Sequence, residues 1–187
     1  MKKILLIAAT AFAAVSAFAQ PKFAHVNSTE LVQLCPEMDK ARETMNAASN
    51  EAQETYQAMV EEFNSKMSTY QAKGSTWTDA TRQSKEKELT DIQQRIQEFS
   101  QTVQVELQQQ QDQLMAPIYQ KVNEVVQDLA KKGGYIYVFD MQSVLYLDPA
   151  QSFDLTPDAR KALNIPADRT LEALAAELQA QQQAAQQ

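Results

Sequence analysis

The chain has 187 residues, with 24 acids against 17 bases and a formal charge of -7. That balance disfavours bulk nucleic-acid binding, which is largely cation exchange against phosphates. One cysteine and one histidine rule out an intrachain disulfide and the paired ligands of a zinc site, so stability has to come from packing or assembly.

Residues 1–19 have the three-part layout of a cleaved secretory signal: Lys2-Lys3, the apolar run Ile4 to Ala9, and Ala17-Phe18-Ala19 ahead of Gln20. Cleavage after Ala19 is the expectation, leaving a mature chain with a formal charge of -9. Nothing beyond the signal approaches the roughly 20 apolar residues needed to cross a bilayer. A glutamine at position 20, where lipidation needs a cysteine, argues against a lipid anchor there.

Phe23 to Asn27 reads as one strand, and Asn27-Ser28-Thr29 as a turn or helix cap. A short helix over Glu30 to Leu34 follows, and Pro36 is suited to opening the next helix, where its missing N–H costs nothing. From Glu37 to about Lys73 the larger or apolar residues recur every three or four positions, through Met38, Ala41, Met45, Ala48, Ala52, Tyr56, Met59, Phe63, Met67 and Tyr70. That spacing leaves one apolar stripe on a helix roughly 55 Å long, which needs a partner.

The stripe breaks at Lys73-Gly74-Ser75-Thr76, where Gly74 suits a helix end and Ser75 or Thr76 suits a cap. A second stripe runs from Trp77 through Leu89, Ile92, Ile96, Phe99, Val103 and Leu107 to Leu129. Two long amphipathic helices with so short a link fold back antiparallel. The second helix is the longer, so its last portion should pack elsewhere, with a kink or a junction of two helices at Pro117.

Lys131-Lys132-Gly133-Gly134 has the basic residues and glycines of a helix end. Tyr135 to Phe139 and Ser143 to Leu147 read as two strands of a β-hairpin which, with Phe23 to Asn27, predict a three-stranded antiparallel patch. Thr156 and Pro157 predict the cap and first residue of a short helix ending before Asn164-Ile165-Pro166. The tail from Thr170 has a helical spacing through Leu171, Leu174, Ala175 and Leu178, but its glutamine- and alanine-rich low complexity leads to the expectation that it frays into disorder.

The expected fold is α+β: a long coiled-coil hairpin over 37–112 with its tip near 74–76, and a discontinuous β-rich body from 20–36 with 113–168. The tail is 169–187. The body is small and has neither disulfide nor metal, so it is expected to oligomerise.

No paired acid and base, activated nucleophile or cofactor pattern can be named, so the chain reads as a non-enzyme that takes no cofactor. His25 reads as a structural or surface residue, Cys35 as a small, partly buried apolar one, and Gly133-Gly134 as a helix terminus. Lys66, Lys73, Arg82, Lys85 and Lys87 make the hairpin tip locally basic on an acidic chain, with Trp77 beside them. Such a tip suits acidic clients or anionic headgroups, or else pairs with nearby acids such as Glu88. Trp77 is divided between hinge packing and contact with apolar guests. The Met-rich stripe either fills the hairpin core or offers an adaptable apolar face.

The order of these elements resembles the Skp/OmpH family of periplasmic chaperones. The resemblance rests on His25-Val26-Asn27, the hairpin, Pro117-Ile118-Tyr119-Gln120-Lys121-Val122, Gly134 to Asp140, Val144-Leu145-Tyr146 and Asp154-Leu155-Thr156. It implies a homotrimer in which strands of three subunits join in a small barrel, while three helical tentacles enclose unfolded outer-membrane proteins without an ATP cycle. Val26, Tyr135, Tyr137, Val138 and Leu145 would then be assembly residues. Met45, Met59, Phe63, Met67, Ile92, Ile96 and Phe99 would be hairpin core or cavity wall, and the tip would guide clients or touch the membrane surface or insertion machinery. The acidic balance departs from the family's best-known members and puts broad electrostatic capture in doubt. The rival readings are a coiled-coil spacer or adaptor with one fixed partner, and a membrane-associated hairpin.

Overall fold

The structure, a computed structural model, describes residues 21–184; the expected signal lies outside the described residues. The elements in chain order are β1 (Lys22–Val26), α1 (Ser28–Leu34), α2 (Pro36–Lys73), a 3-10 turn (Gly74–Thr76) and α3 (Asp79–Gly133). Then come β2 (Tyr135–Asp140), a second 3-10 turn (Met141–Ser143), β3 (Ser152–Asp154), α4 (Thr156–Ala162) and α5 (Leu171–Ala184). The described residues divide into two compact units, Pro36–Tyr119 and the pair 21–35 with 120–184. Pro117 lies inside α3 and does not end it.

The first unit is the helical hairpin. Leu89 and Ile92 of α3 are buried, Ile92 at 2% exposure, and Met59, Phe63, Met67, Ile96 and Phe99 are half-buried. The three-and-four spacing puts these side chains on facing stripes, and two helices offer each residue only one packed side. Arg95 Nη2 donates to Glu62 Oε2 at 3.3 Å, while Lys66 pairs with Glu88 and Tyr70 donates to Glu86. These cross-helix bonds fix the antiparallel register near the turn. The cap of α3 is Thr78, whose Oγ1 accepts from Thr81 N at 3.3 Å. Ser75 and Thr76 instead lie in the 3-10 turn, with the Thr76 hydroxyl donating to Lys73 O at 2.7 Å.

The second unit holds the sheet, and here the structure corrects the expected antiparallel patch. The order is β2-β1-β3, with β1 central and paired in parallel to both neighbours. Ser143 to Leu147 is not a strand of this sheet; the third strand is Ser152–Asp154. After β2 the chain turns back, and Asp148 redirects it: its Oδ1 accepts from Ala150 N at 2.9 Å and its carbonyl from Gln151 N and Ser152 N. The chain therefore reaches the free edge of β1 already reversed once more. His25 Nδ1 and Ser152 Oγ lie 2.9 Å apart, and Leu155 N donates to His25 O, so the buried histidine sets this register.

The core of this unit is Ala24 and Val26 of β1, the α1 residues Leu31, Val32 and Leu34, Cys35, and Leu155, Ala159, Leu163, Ile165 and Leu174. Asn27 caps α1 by accepting from Glu30 N at 3.1 Å. Thr156 does not cap α4: its Oγ1 accepts from Asn27 N at 3.0 Å, tying α4 to the start of α1. Gly134, at φ 68, supplies the left-handed residue that follows the last turn of α3.

The tail is also corrected. Residues Leu171–Ala184 form α5, begun by Thr170, whose Oγ1 accepts from Ala173 N at 3.1 Å. Arg160 holds the preceding loop, donating to Pro166 O at 2.8 Å and Arg169 O at 2.7 Å while also pairing with Glu30. Leu174 is buried at 7% exposure. One leucine inserted into the body outweighs the low complexity of the glutamines around it.

Candidate functional site

A period of two along β2 sends Tyr135, Tyr137 and Phe139 to one side of the strand. Their rings form part of a row: Phe23 stacks on Tyr137 at 6.3 Å, Tyr137 on Phe139 at 5.9 Å, and Tyr135 on Phe153 at 5.8 Å. Much of this aromatic surface stays open, with Tyr137 at 60% and Phe153 at 53% exposure. Ile136 on the other side of β2 is also exposed, and Leu145 and Tyr146 are the most exposed large apolar residues of the body. A groove of about 820 Å³, lined among others by Pro21, Phe23, Tyr135, Pro149 and Phe153, opens at one end of the sheet.

Of the body residues named from sequence, Tyr137 and Leu145 are exposed, Tyr135 and Val138 half-buried, and Val26 lies in the unit's own core. Ile136, Phe139, Tyr146 and Phe153 are exposed as well and were not singled out. The first two were legible as members of an apolar strand. Phe153 was hidden by the short β3, too brief for a period to register.

In the hairpin, Ile92 is core, while Met45, Met59, Phe63, Met67, Ile96 and Phe99 are half-buried along the seam. At the tip, Trp77 packs edge-on against Tyr70 at 5.8 Å and is half-buried, and Gly74 is buried beside the same ring. The basic residues divide into two groups. Lys66 is held by Glu88 and Glu62, Lys85 by Glu88 at 2.8 Å, and Arg82 by Asp79. Lys73 and Lys87 are exposed. Glu62 and Glu88 sit just outside the stretch that made the tip look basic, and they neutralise much of its charge.

Glu88 receives hydrogen bonds from Lys66 and Lys85, which lower its pKa to about 2. The same bond raises Lys66 above the ordinary lysine value, and donation to Glu86 raises Tyr70. Among the described residues no cluster of His, Cys, Asp and Glu is built to hold a metal, and no helix is long and apolar enough to cross a membrane. The geometry offers surfaces for binding.

The profile of the outer membrane protein (OmpH-like) family matches residues 22–163. The chain belongs to that family. The OmpH-like match spans both helices of the hairpin and all three strands, and it stops before Ile165 and α5. Family members are chaperones rather than enzymes, and the resemblance drawn from sequence is borne out. Chaperone protein Skp of Yersinia enterocolitica is 29% identical over 164 residues, covering 86% of this chain and 98% of that protein. An OmpH-like outer-membrane chaperone from Caulobacter crescentus CB15 superposes with a TM-score of 0.69 over 78% of this chain and 85% of its own, at 16% identity. That second likeness is one of fold, and it covers the long helices and small sheet expected from the sequence.

Proposed function

We propose that the mature chain is an ATP-independent periplasmic holdase that keeps unfolded outer-membrane proteins from aggregating. The observation that carries this reading is the match across 98% of the length of a protein named Chaperone protein Skp, within a family whose profile spans the hairpin and the sheet. Export follows from the signal-like residues 1–19 with cleavage after Ala19.

The working unit in this reading is a homotrimer assembled through the body. The exposed ring row that includes Tyr137, Phe139 and Phe153, with Leu145 and Tyr146 exposed as well, supports it, because monomeric soluble proteins rarely leave a large apolar patch uncovered. Tyr135 and Val138 sit on the same strand, and Val144 to Leu147, a strand-like sequence without a partner in its own sheet, suits pairing with another copy.

Each client is held by the hairpins of the trimer through many weak contacts, which tolerate clients of different sequence. A client so held is kept from the strand edges of other clients, and aggregation slows without any input of folding energy. The tip is available for transient contact with the membrane surface or insertion machinery through Lys73 and Lys87.

The test is light scattering of an outer-membrane β-barrel protein diluted from urea, with rising amounts of mature chain and no nucleotide. Suppression that saturates near one trimer per client is the expected result. Unchanged scattering at several-fold excess would overturn the reading.

A further inference from the structure

Cleavage after Ala19 leaves only Gln20 and Pro21 ahead of β1, which begins at Lys22. The sheet is built on that strand: β1 pairs with β2 from Lys22 to Val26 and with β3 from Phe23 to His25. Its Phe23 ring also stacks on Tyr137. A chemical change at the new terminus is therefore within two residues of the central strand of the body.

The wall on which that terminus opens suits an uncharged group. Pro21 itself lines the groove of about 820 Å³ at this end of the sheet, with Phe23, Tyr135, Pro149 and Phe153; Lys22 is the one charged residue of the lining, and no carboxylate belongs to it. The carbonyl end of α3, which favours a cation, already receives Lys22 Nζ at Gly133 O, 3.5 Å away. The last turn of the same helix carries Lys131 and Lys132. Asp148, the acid next to Pro149, turns its carboxylate oxygens to Ala150 N and Gln151 Nε2. An α-ammonium on the residue bonded to Pro21 thus has lysines for neighbours and no acid in the groove wall, an arrangement that disfavours charge.

We propose that in the exported chain Gln20 closes into a pyroglutamate lactam, and that this neutral cap protects the start of β1. A glutamine in first position reaches its own α-nitrogen through an unstrained five-membered ring. The α-amine is also the amine most available as a free base near neutral pH, whereas lysines stay protonated. Its nitrogen attacks the side-chain carboxamide carbon Cδ. The new N–C bond forms as the bond from Cδ to the amide nitrogen breaks, and that nitrogen leaves as ammonia with the proton given up by the α-amine. No oxidant, reductant or other co-reactant enters, and the terminus loses its positive charge.

Protection matters because chain ends are where proteolysis concentrates, and a free α-amine is the group that exopeptidases working from this end grip. Loss of the Gln20-Pro21 dipeptide would move the ammonium onto Lys22, the first residue of β1. There it would stand beside the side-chain ammonium already placed at the end of α3. The lactam removes the grip and the charge together.

This inference rests on the export reading, with cleavage after Ala19. The experiment isolates the full mature chain from the cell envelope and measures its intact mass, with amine labelling before any digestion so that later cyclisation is not counted. The expected result is a chain that starts at Gln20, is lighter than its sequence by one ammonia, and takes no label at its first residue. A chain that starts at Gln20 with full mass and a labelled α-amine overturns the inference and leaves export standing. A chain that starts at another residue removes the cleavage site, and the inference with it.

The protective role is tested with Gln20→Ala, which keeps a free α-amine ahead of Pro21. Both mature chains are incubated with a dipeptidyl peptidase that cleaves after a proline in second position, and their masses are followed. Loss of the first two residues from the variant and none from the parent is expected. Equal trimming of the two chains, or equal resistance, overturns the protective role.

Discussion

Replacing Leu174 by alanine tests whether α5 is part of the body. Leu174 is 7% exposed and is the buried residue of its helix, whereas Leu171, one turn earlier, is 37% exposed. Buried Leu→Ala changes cost about 2–5 kcal/mol, the lower values arising where neighbours close over the space left behind. Here the gap is beside a terminal helix anchored by one turn, so collapse is easy, and a cost of about 2–3 kcal/mol is expected. For a chain of this size that lowers the melting temperature by roughly 5–10 °C. Leu171→Ala should cost under about 1 kcal/mol, because little of its area leaves water. Thermal melts followed by circular dichroism on the mature chain, repeated in urea, distinguish the two. Leu174→Ala melting with the parent, or with Leu171→Ala, would mean that the tail is not docked and that the reasoning from burial fails.

Tyr137→Glu or Leu145→Glu should weaken self-association by about tenfold or more, since each places a charge where an assembled body would exclude water; sedimentation equilibrium measures it, and an unchanged mass would remove this face from the assembly. Ile92→Ala should cost about 2–4 kcal/mol in a urea titration of the mature chain, more than Ile96→Ala, whose side chain is only half-buried. The Glu88 carboxyl should titrate by NMR near 2 rather than at the ordinary value of 4.5. Because its folded pKa is depressed, its contribution to stability is fully present above the ordinary value and is lost as pH falls through about 2. In Lys66→Ala the titration should move back toward the ordinary value. Gly134→Ala should cost about 1 kcal/mol or more, because the residue sits at φ 68.

The long helices were legible because a three-and-four spacing sustained over many turns admits one explanation, and Gly74 and Pro36 mark where it is interrupted. Strand β2 was legible from a run of β-branched and aromatic residues. Its partner was misread because Val144 to Leu147 has a strand's composition, while the segment that pairs with β1, Ser152–Asp154, is too short for composition or period to show. Register there is set by His25 and Ser152, residues 127 positions apart, and no local signal carries such a bond. The same limit applies to Thr156, whose hydroxyl serves Asn27 rather than its own helix, and to Arg160, which turns a polar tail into a docked one. At the tip, a count of charges over Lys66 to Lys87 gave a basic patch because it stopped short of Glu62 and Glu88.

The central claim is that this chain holds an unfolded outer-membrane protein in soluble form without nucleotide. Sedimentation velocity of the mature chain mixed with a urea-unfolded outer-membrane β-barrel protein, with the client labelled, tests it most directly. The account predicts one soluble boundary that carries the label at the mass of a trimer plus one client. A label that pellets while the chain sediments alone would contradict it.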